Sequence, residues 1–257
     1  GTLGVKSSSI NHNLSNTTID PINLGKILEK LKKKGIDNVI MEASSHGLKQ
    51  NRLDGLLFNS GIFTNLSQDH LDYHKNLKNY LRAKLYLFEN LIKKNGTVIT
   101  DEKLPEFKKI QKVVINKDLK LFTLNDKKNS FKILSHDFNG DTQVIKLKYK
   151  NSIKKIDINL IGRIQIKNII MAIIAAEKSY LKLEKILSVI PKLIAVEGRF
   201  EKIGKIKNNS KVILDYAHTP DALKTCLLNL REQFKDRKIS LLFGCGGDRD
   251  QDKRSKM

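Results

Sequence analysis

Several short stretches of this chain combine residue types that do chemistry. Glu42-Ala43-Ser44-Ser45-His46-Gly47-Leu48, followed by Gln50 and Arg52, sets a carboxylate beside hydroxyls and an imidazole. At the end of a strand, such a set suits a hard cation such as Mg²⁺ and a phosphorylated ligand. A Ser-rich helix cap with a hydrogen-bonded His46 is the plainer alternative. Thr64-Asn65-Leu66-Ser67-Gln68-Asp69-His70-Leu71-Asp72-Tyr73-His74 carries two histidines at i and i+4. The spacing is not H-E-x-x-H and no cysteines stand nearby, which argues against zinc. One histidine could join a Mg²⁺ site, or the stretch could be a capped loop leading into a helix. In Asp215-Tyr216-Ala217-His218-Thr219-Pro220-Asp221, Thr219 and Pro220 read as the start of a helix, which leaves Asp215 and His218 at the tip without a structural reason. Phe243-Gly244-Cys245-Gly246-Gly247-Asp248-Arg249-Asp250 has glycines that let backbone approach a ligand and an arginine fork for carboxylate or phosphate. No base is placed for Cys245, so it reads as a small packed thiol. Gly1-Thr2-Leu3-Gly4-Val5-Lys6-Ser7 has the components of a phosphate loop without the G-x-x-x-x-G-K-[ST] spacing.

The elements that must position these residues follow from periodicity. Apolar residues at Ile22, Leu24, Ile27, Leu28 and Leu31 predict a helix from Pro21 to Lys34, ended by Gly35. Residues 37–42 read as a short strand ending on Glu42, and 56–65 as another ending near Thr64 and Asn65. A helix over 76–94 and a strand over 96–100 follow. Polar residues at the ends of strands that alternate with helices describe a parallel α/β sheet, whose ligands gather at the carboxyl ends. From Lys120 to Leu160 the pattern changes to short strands at 131–134, 144–149 and 156–160. Asn139-Gly140-Asp141 and Lys150-Asn151-Ser152 supply turns, so this part reads as a small antiparallel insertion. Helices return at 166–180 and 183–190. After a connector at 191–196, a strand at 212–215, a helix at 221–234 and a strand at 239–243 begin a second α/β unit, with a boundary near Val196.

Composition bounds the function. The 257 residues include 48 Lys and Arg against 27 Asp and Glu, a net charge of +21. That balance invites a nucleic-acid reading. The lysines are scattered through every segment, however, and no tryptophan is present to interleave with them as a stacking platform. A drift toward Lys, Asn and Ile on solvated faces, with an acidic or phosphorylated ligand besides, explains the charge better. The longest apolar run, near Ile169–Ala176, is too short for a membrane span. Two cysteines make no disulfide framework and fit a reducing cytoplasm. The chain opens at Gly1 without Met and ends mid-pattern, so it reads as an internal fragment.

Taken in order, N-T-T at 16–18, E-A-S-S-H-G-L at 42–48, T-N-L-S-Q-D-H-L-D-Y-H at 64–74, A-K ending at Lys84, G-R-F at 198–200, D-Y-A-H-T-P-D at 215–221 and F-G-C-G-G-D-R-D at 243–250 resemble the Mur ligases. These are the ATP-dependent amide-forming enzymes of peptidoglycan assembly. The match is closest to the members that add the third residue of the stem peptide. The resemblance implies an α/β fold: a P-loop-NTPase-like central domain over 1–196, mostly parallel sheet with a small antiparallel insertion, and the start of a Rossmann-like C-terminal domain over 197–257. It implies that Asn16, Thr17, Thr18, Ser44, Gln50 and Arg52 hold the UDP-muramoyl-dipeptide. Glu42 and His70 would sit at Mg²⁺ ions bridging ATP phosphates and the acceptor carboxylate. Lys84 would be N-carboxylated, which turns a cation into an anionic oxygen ligand. Asn168, Arg199 and Asp215 would contact the nucleotide. Arg249 would grip a carboxylate of an incoming diamino acid, which favours meso-diaminopimelate over lysine.

In the family, the phosphate loop and uridine-binding domain precede the stretch corresponding to Gly1, and a D-N-P-R segment follows the stretch ending at Met257. Residues 1–257 alone are therefore expected not to catalyse. Where the family has an asparagine pair near the adenine, this chain has Gln165 and Asn168. The alternatives are another Mur ligase or folylpolyglutamate synthase, which share the scaffold and the carboxylated lysine, and a basic nucleic-acid-binding module. The H-G-L and Y-A-H-T-P-D strings favour the tripeptide-forming branch, working in the cytoplasm with neither nucleic acid nor membrane as partner.

Overall fold

The computed structural model describes residues 1–124, 131–149, 152–244 and 252–257. These residues form two compact units. The first comprises 1–61, 70–98 and 108–120; the second comprises 62–69, 99–107 and 121–257.

In the first unit a minimal antiparallel pair, β1 (Val5–Lys6) and β2 (Asn11–His12), precedes helix α1 (Pro21–Lys33). The Asp20 carboxylate accepts from Asn23 N at 2.9 Å, Pro21 fills the first turn, and Gly35 at φ +72° follows the end. Leu24 of α1 and Leu48 of the short helix α2 (Ser45–Lys49) join Ile19, Leu53 and Leu91 in one apolar cluster. Gly47 of α2 packs so closely that a Cβ there would stand 2.6 Å from Thr18 Cγ2.

Three strands make a parallel sheet in the order β3 (Phe58–Phe63), β4 (Ile92–Thr100), β5 (Lys120–Thr123). Parallel neighbours need crossovers. Here α3 (Leu71–His74) and α4 (Leu77–Tyr86) lie between β3 and β4, and α5 (Phe107–Asn116) lies between β4 and β5. Asn76 caps α4 by accepting from Asn79 N at 2.9 Å. The helix expected over 76–94 ends early. A π-turn at Leu87–Leu91 directs Phe88 and Leu91 inward, and Ile92 is already extended (φ −90°, ψ 133°). The sheet takes 92–95 because Ile92 is buried there while the polar Lys93, Lys94 and Asn95 remain exposed.

The second unit holds the antiparallel meander β6 (Phe131–Asn139), β7 (Thr142–Tyr149) and β8 (Ser152–Ile158). Asn139 pairs with Thr142 across the turn at Gly140 (φ +59°). Ile145, Leu147 and Ile158, all fully buried, pack with Ile166, Ile169, Ile170, Ile173 and Ile174 of α6 (Arg163–Lys178). Helix α7 (Leu183–Val189) contributes Ile186 to the same core. An antiparallel pair, β9 (Glu201–Ile206) and β10 (Ser210–Leu214), then leads to α8 (Pro220–Gln233), capped by Thr219. A last short helix is α9 (Asp252–Lys256).

Two strands expected from sequence are absent. Residues 37–42 and 239–243 form no ladder, and Ile40 and Leu242 are 99% and 98% exposed. A strand exists only where a neighbouring strand takes its amides and carbonyls, and neither segment pairs with another strand among the described residues. The second α/β pattern also begins differently, with an antiparallel pair whose first strand was not foreseen. β9 mixes Glu and Lys with Ile and is mostly exposed, so it carries little alternation to read.

Candidate active site

In the first unit hydrogen bonds join Thr18, Glu42, Ser44 and Arg52, with Thr2 and Thr17 alongside. Thr18, which is buried, donates its hydroxyl to Glu42 O at 2.9 Å and accepts from Ser44 N at 3.0 Å. Arg52 donates to Thr18 O at 2.6 Å. The Glu42 carboxylate is exposed, and its Oε2 accepts from Thr2 N at 2.6 Å and Thr2 Oγ1 at 2.8 Å. Thr17 Oγ1 lies 3.1 Å from Thr2 Oγ1. Ser44 caps α2 by accepting from Gly47 N at 3.1 Å. Asn16 is exposed on the neighbouring loop.

A set of rings sits against α2. His46 lies 4.2 Å from Tyr73, 4.9 Å from His70 and 5.5 Å from His74, measured between ring centroids. Gln50 donates to the Tyr73 hydroxyl at 3.1 Å. His74 is buried, with Nε2 2.9 Å from Ser45 Oγ, and it stacks on Tyr80 at 5.0 Å and 15°. His70 meets the same Tyr80 ring edge-on at 6.0 Å, and Lys84 Nζ lies 5.1 Å from its centroid. His70 precedes α3 in a left-handed conformation (φ 54°), while the Nε2 of His74 is taken by Ser45. Among the described residues no cluster of three or more metal-ligating side chains includes this i, i+4 pair. Burial first, then the charges of His46, His70 and Lys49, hold the His74 imidazole below its ordinary pKa.

In the second unit, Asp215 Oδ2 accepts from Phe200 N at 3.0 Å and Oδ1 from Ala217 N at 2.9 Å. Tyr216 N donates to Gly198 O at 2.7 Å, and the Arg199 guanidinium lies 4.6 Å from the Tyr216 ring centroid. The G-R-F and D-Y-A-H strings are thereby bound to each other. His218 Nε2 lies 3.7 Å from Asp69 Oδ2, which brings the end of the Asp69 loop to this turn. Asn168 is exposed on α6 and reaches Gln165 at 3.4 Å.

A family model described as the Mur ligase middle domain matches residues 1–176, and one described as the Mur ligase glutamate ligase domain matches 198–257. The chain belongs to the Mur ligase family. A UDP-N-acetylmuramoyl-L-alanyl-D-glutamate–2,6-diaminopimelate ligase of Leptospira interrogans is 37% identical over 262 aligned residues, covering 100% of this chain and 51% of that protein. A solved structure of a ligase of the same name has a TM-score of 0.72 at 32% identity, covering 100% of this chain and 52% of that one. MurF ligase from Thermotoga maritima, solved in complex with ADP, shares the fold alone: TM-score 0.58 at 12% identity, covering 73% of this chain and 42% of that one. The chain spans about half the length of the curated relative it matches.

For a Mur ligase chain, the donor set can be weighed against the divalent cation that the family implies. Among the described residues no three or more His, Cys, Asp and Glu side chains gather as a closed protein cage. Mg²⁺ does not need one, since one or two protein ligands with phosphate oxygens and water complete its octahedron. Glu42 fits that pattern: Thr2 fixes Oε2, and Oε1 takes no hydrogen bond among the described residues. Lys84 fits only as an anion, because an ammonium would repel the ion. Arg249 and Cys245 lie outside the described residues. The other cysteine, Cys226, is buried, and burial with the Asp215 charge pushes its thiol up to about 11, which makes it a packing group.

Sequence reasoning missed three supporting features of this Mur ligase chain. Tyr80 was legible only as an apolar-face residue, although its i, i+4 spacing to Lys84 was a signal. His74 was weighed as a ligand and serves as a buried partner of Ser45. Asp101, just after β4, is 2% exposed and takes Lys167 Nζ at 2.8 Å and Lys103 N at 2.9 Å. Burial pushes its carboxyl up, but the Lys167 bond, the Lys103 amide and both charges outweigh that and hold it low. Lys167 immediately precedes Asn168, and no motif marks the pair. No helix among the described residues is long and apolar enough to cross a membrane.

Proposed function

We propose that the full-length protein is an ATP-dependent ligase that joins meso-2,6-diaminopimelate to UDP-N-acetylmuramoyl-L-alanyl-D-glutamate, in the cytoplasm, as a step of peptidoglycan synthesis. The observation that carries this reading is 37% identity, across the whole chain, to a relative of that name. ADP in the Thermotoga maritima MurF structure supports nucleotide use by the shared fold. We place the boundary between central and C-terminal domains near Val196.

The chemistry explains the residue types. A carboxylate resists attack by an amine, so the dipeptide carboxylate first takes the γ-phosphoryl group of ATP and becomes an acyl phosphate. The amine then attacks the carbonyl and phosphate leaves. Mg²⁺, when bound, supplies the positive charge that lets two anions approach. Glu42, His70 and carboxylated Lys84 would hold it. Asn16, Thr17, Thr18, Ser44, Gln50 and Arg52 would hold the UDP-muramoyl-dipeptide, a reading supported by the bonds that hold Thr18 to the backbone of Glu42 and Ser44. Asn168, Arg199 and Asp215 would serve the nucleotide, Asp215 from a position anchored on two amides. Arg249 would receive a carboxylate of the diamino acid.

The test is a substrate panel with the full-length protein, reading phosphate release and ligated product. Turnover is expected only with ATP, the UDP-muramoyl-dipeptide and diaminopimelate together. Preference for lysine would overturn the choice of amino acid, and glutamate addition to a folate would overturn the function.

A further inference from the structure

Lys84 is the one expected cation ligand whose ordinary charge has the wrong sign, and its place in the structure suits that ordinary charge. Its Nζ lies 5.1 Å from the Tyr80 ring centroid, because residues four apart on α4 share a face. The ring is held in place. Tyr80 is buried, His74 stacks on it at 5.0 Å and is itself bonded to Ser45, and His70 meets it edge-on at 6.0 Å. The face of an aromatic ring carries negative potential, which attracts an ammonium and repels a carboxylate.

Carboxylation inverts the charge at this point. The deprotonated amine attacks the carbon of CO₂, a C–N bond forms, and one C=O π pair moves onto oxygen. From the ammonium, two protons are released to solvent and –NH₃⁺ becomes –NH–COO⁻. Attraction to the ring turns into repulsion. We propose that Tyr80 is the resting platform of unmodified Lys84 and a positioning residue that sets how readily Lys84 is carboxylated, stabilising the ammonium and expelling the carboxylated side chain from the ring face. The inference rests on the reading that Lys84 is carboxylated.

The experiment uses the full-length protein in CO₂-depleted buffer, titrated with ¹³C-bicarbonate. It reads the carbamate signal by ¹³C NMR and the bicarbonate concentration that gives half-maximal amide synthesis. Tyr80→Leu removes the π face and is expected to lower that concentration about two- to fivefold, while Tyr80→Phe keeps it within about twofold. Pentafluorophenylalanine at position 80 keeps the shape and reverses the potential of the face, so it should follow Tyr80→Leu even if the latter folds poorly. A carbamate signal with an unchanged bicarbonate requirement in the leucine and fluorinated forms would overturn the role of Tyr80 alone. Absence of carbamate in the unsubstituted protein would overturn the carboxylation reading as well.

Discussion

The two groups of candidate residues are anchored by opposite means. In the first unit, Ser45, His74, Tyr80, His70 and Lys84 hold one another through rings and side chains, while the exposed Glu42 carboxylate is held by Thr2. In the second, Asp215 is half-buried and both of its oxygens take backbone amides, so the candidate residue is also part of the scaffold. An exposed group held by a hydroxyl and an amide can be changed with little cost to folding. A carboxylate that satisfies two amides cannot, because its loss leaves both donors without a partner.

Three substitutions sharpen or break this contrast. Glu42→Gln keeps an oxygen acceptor for Thr2 and removes only charge. Amide synthesis by the full-length protein should fall about a hundredfold or more, the scale seen when one transition-state-stabilising group is lost. The urea midpoint should hardly move, and a large stability loss would break the contrast. Asp215→Ala should cost about 2 kcal/mol of stability, read from the denaturation midpoint at constant slope. It should also raise KM for ATP. A neutral effect on stability would mean that the two amide bonds do not anchor the turn.

His74→Phe preserves the stack on Tyr80 and deletes the Ser45 bond, for an expected loss of about 1 kcal/mol near pH 7.5. Its pH dependence is the sharper measurement. The folded-state pKa of His74 lies below the ordinary 6.5, so the unfolded chain binds protons first as pH falls. His74 therefore favours the folded state above pH 6.5 and loses that contribution as pH drops from there toward its folded value. The gap between the parent protein and His74→Phe should narrow between pH 7 and pH 5. Parallel stability curves would contradict the buried neutral imidazole.

Much of the local structure was legible because its causes are local. Asp20 and Pro21 start α1, Thr219 and Pro220 start α8, Ser44 caps α2, and Asn139-Gly140-Asp141 turns β6 into β7. The misreadings share one cause. Residues 37–42 and 239–243 have strand composition, but a strand needs a neighbour's hydrogen bonds, and composition does not say who supplies them. The helix expected over 76–94 rests on Leu77, Tyr80, Leu81, Leu85 and Phe88 at helical spacing, yet the buried place of Ile92 in the sheet takes the last residues of that span into β4. At the site, residue types and order were readable and partners were not. Nothing near His74 names Ser45, and nothing near Asp101 names Lys167.

By itself, the order of motifs along the chain determined the family, the reaction class to be tested and the residues to watch, because catalytic chemistry demands particular functional groups. Tertiary structure decided what those groups touch. It gave His74 to Ser45 and Tyr80, set Lys84 over an aromatic face, and bound Asp215 to two amides. The reason is range: a cap or a turn is settled within a few bonds, whereas a stacked ring or a buried hydrogen bond is settled by segments that meet only when the chain has folded.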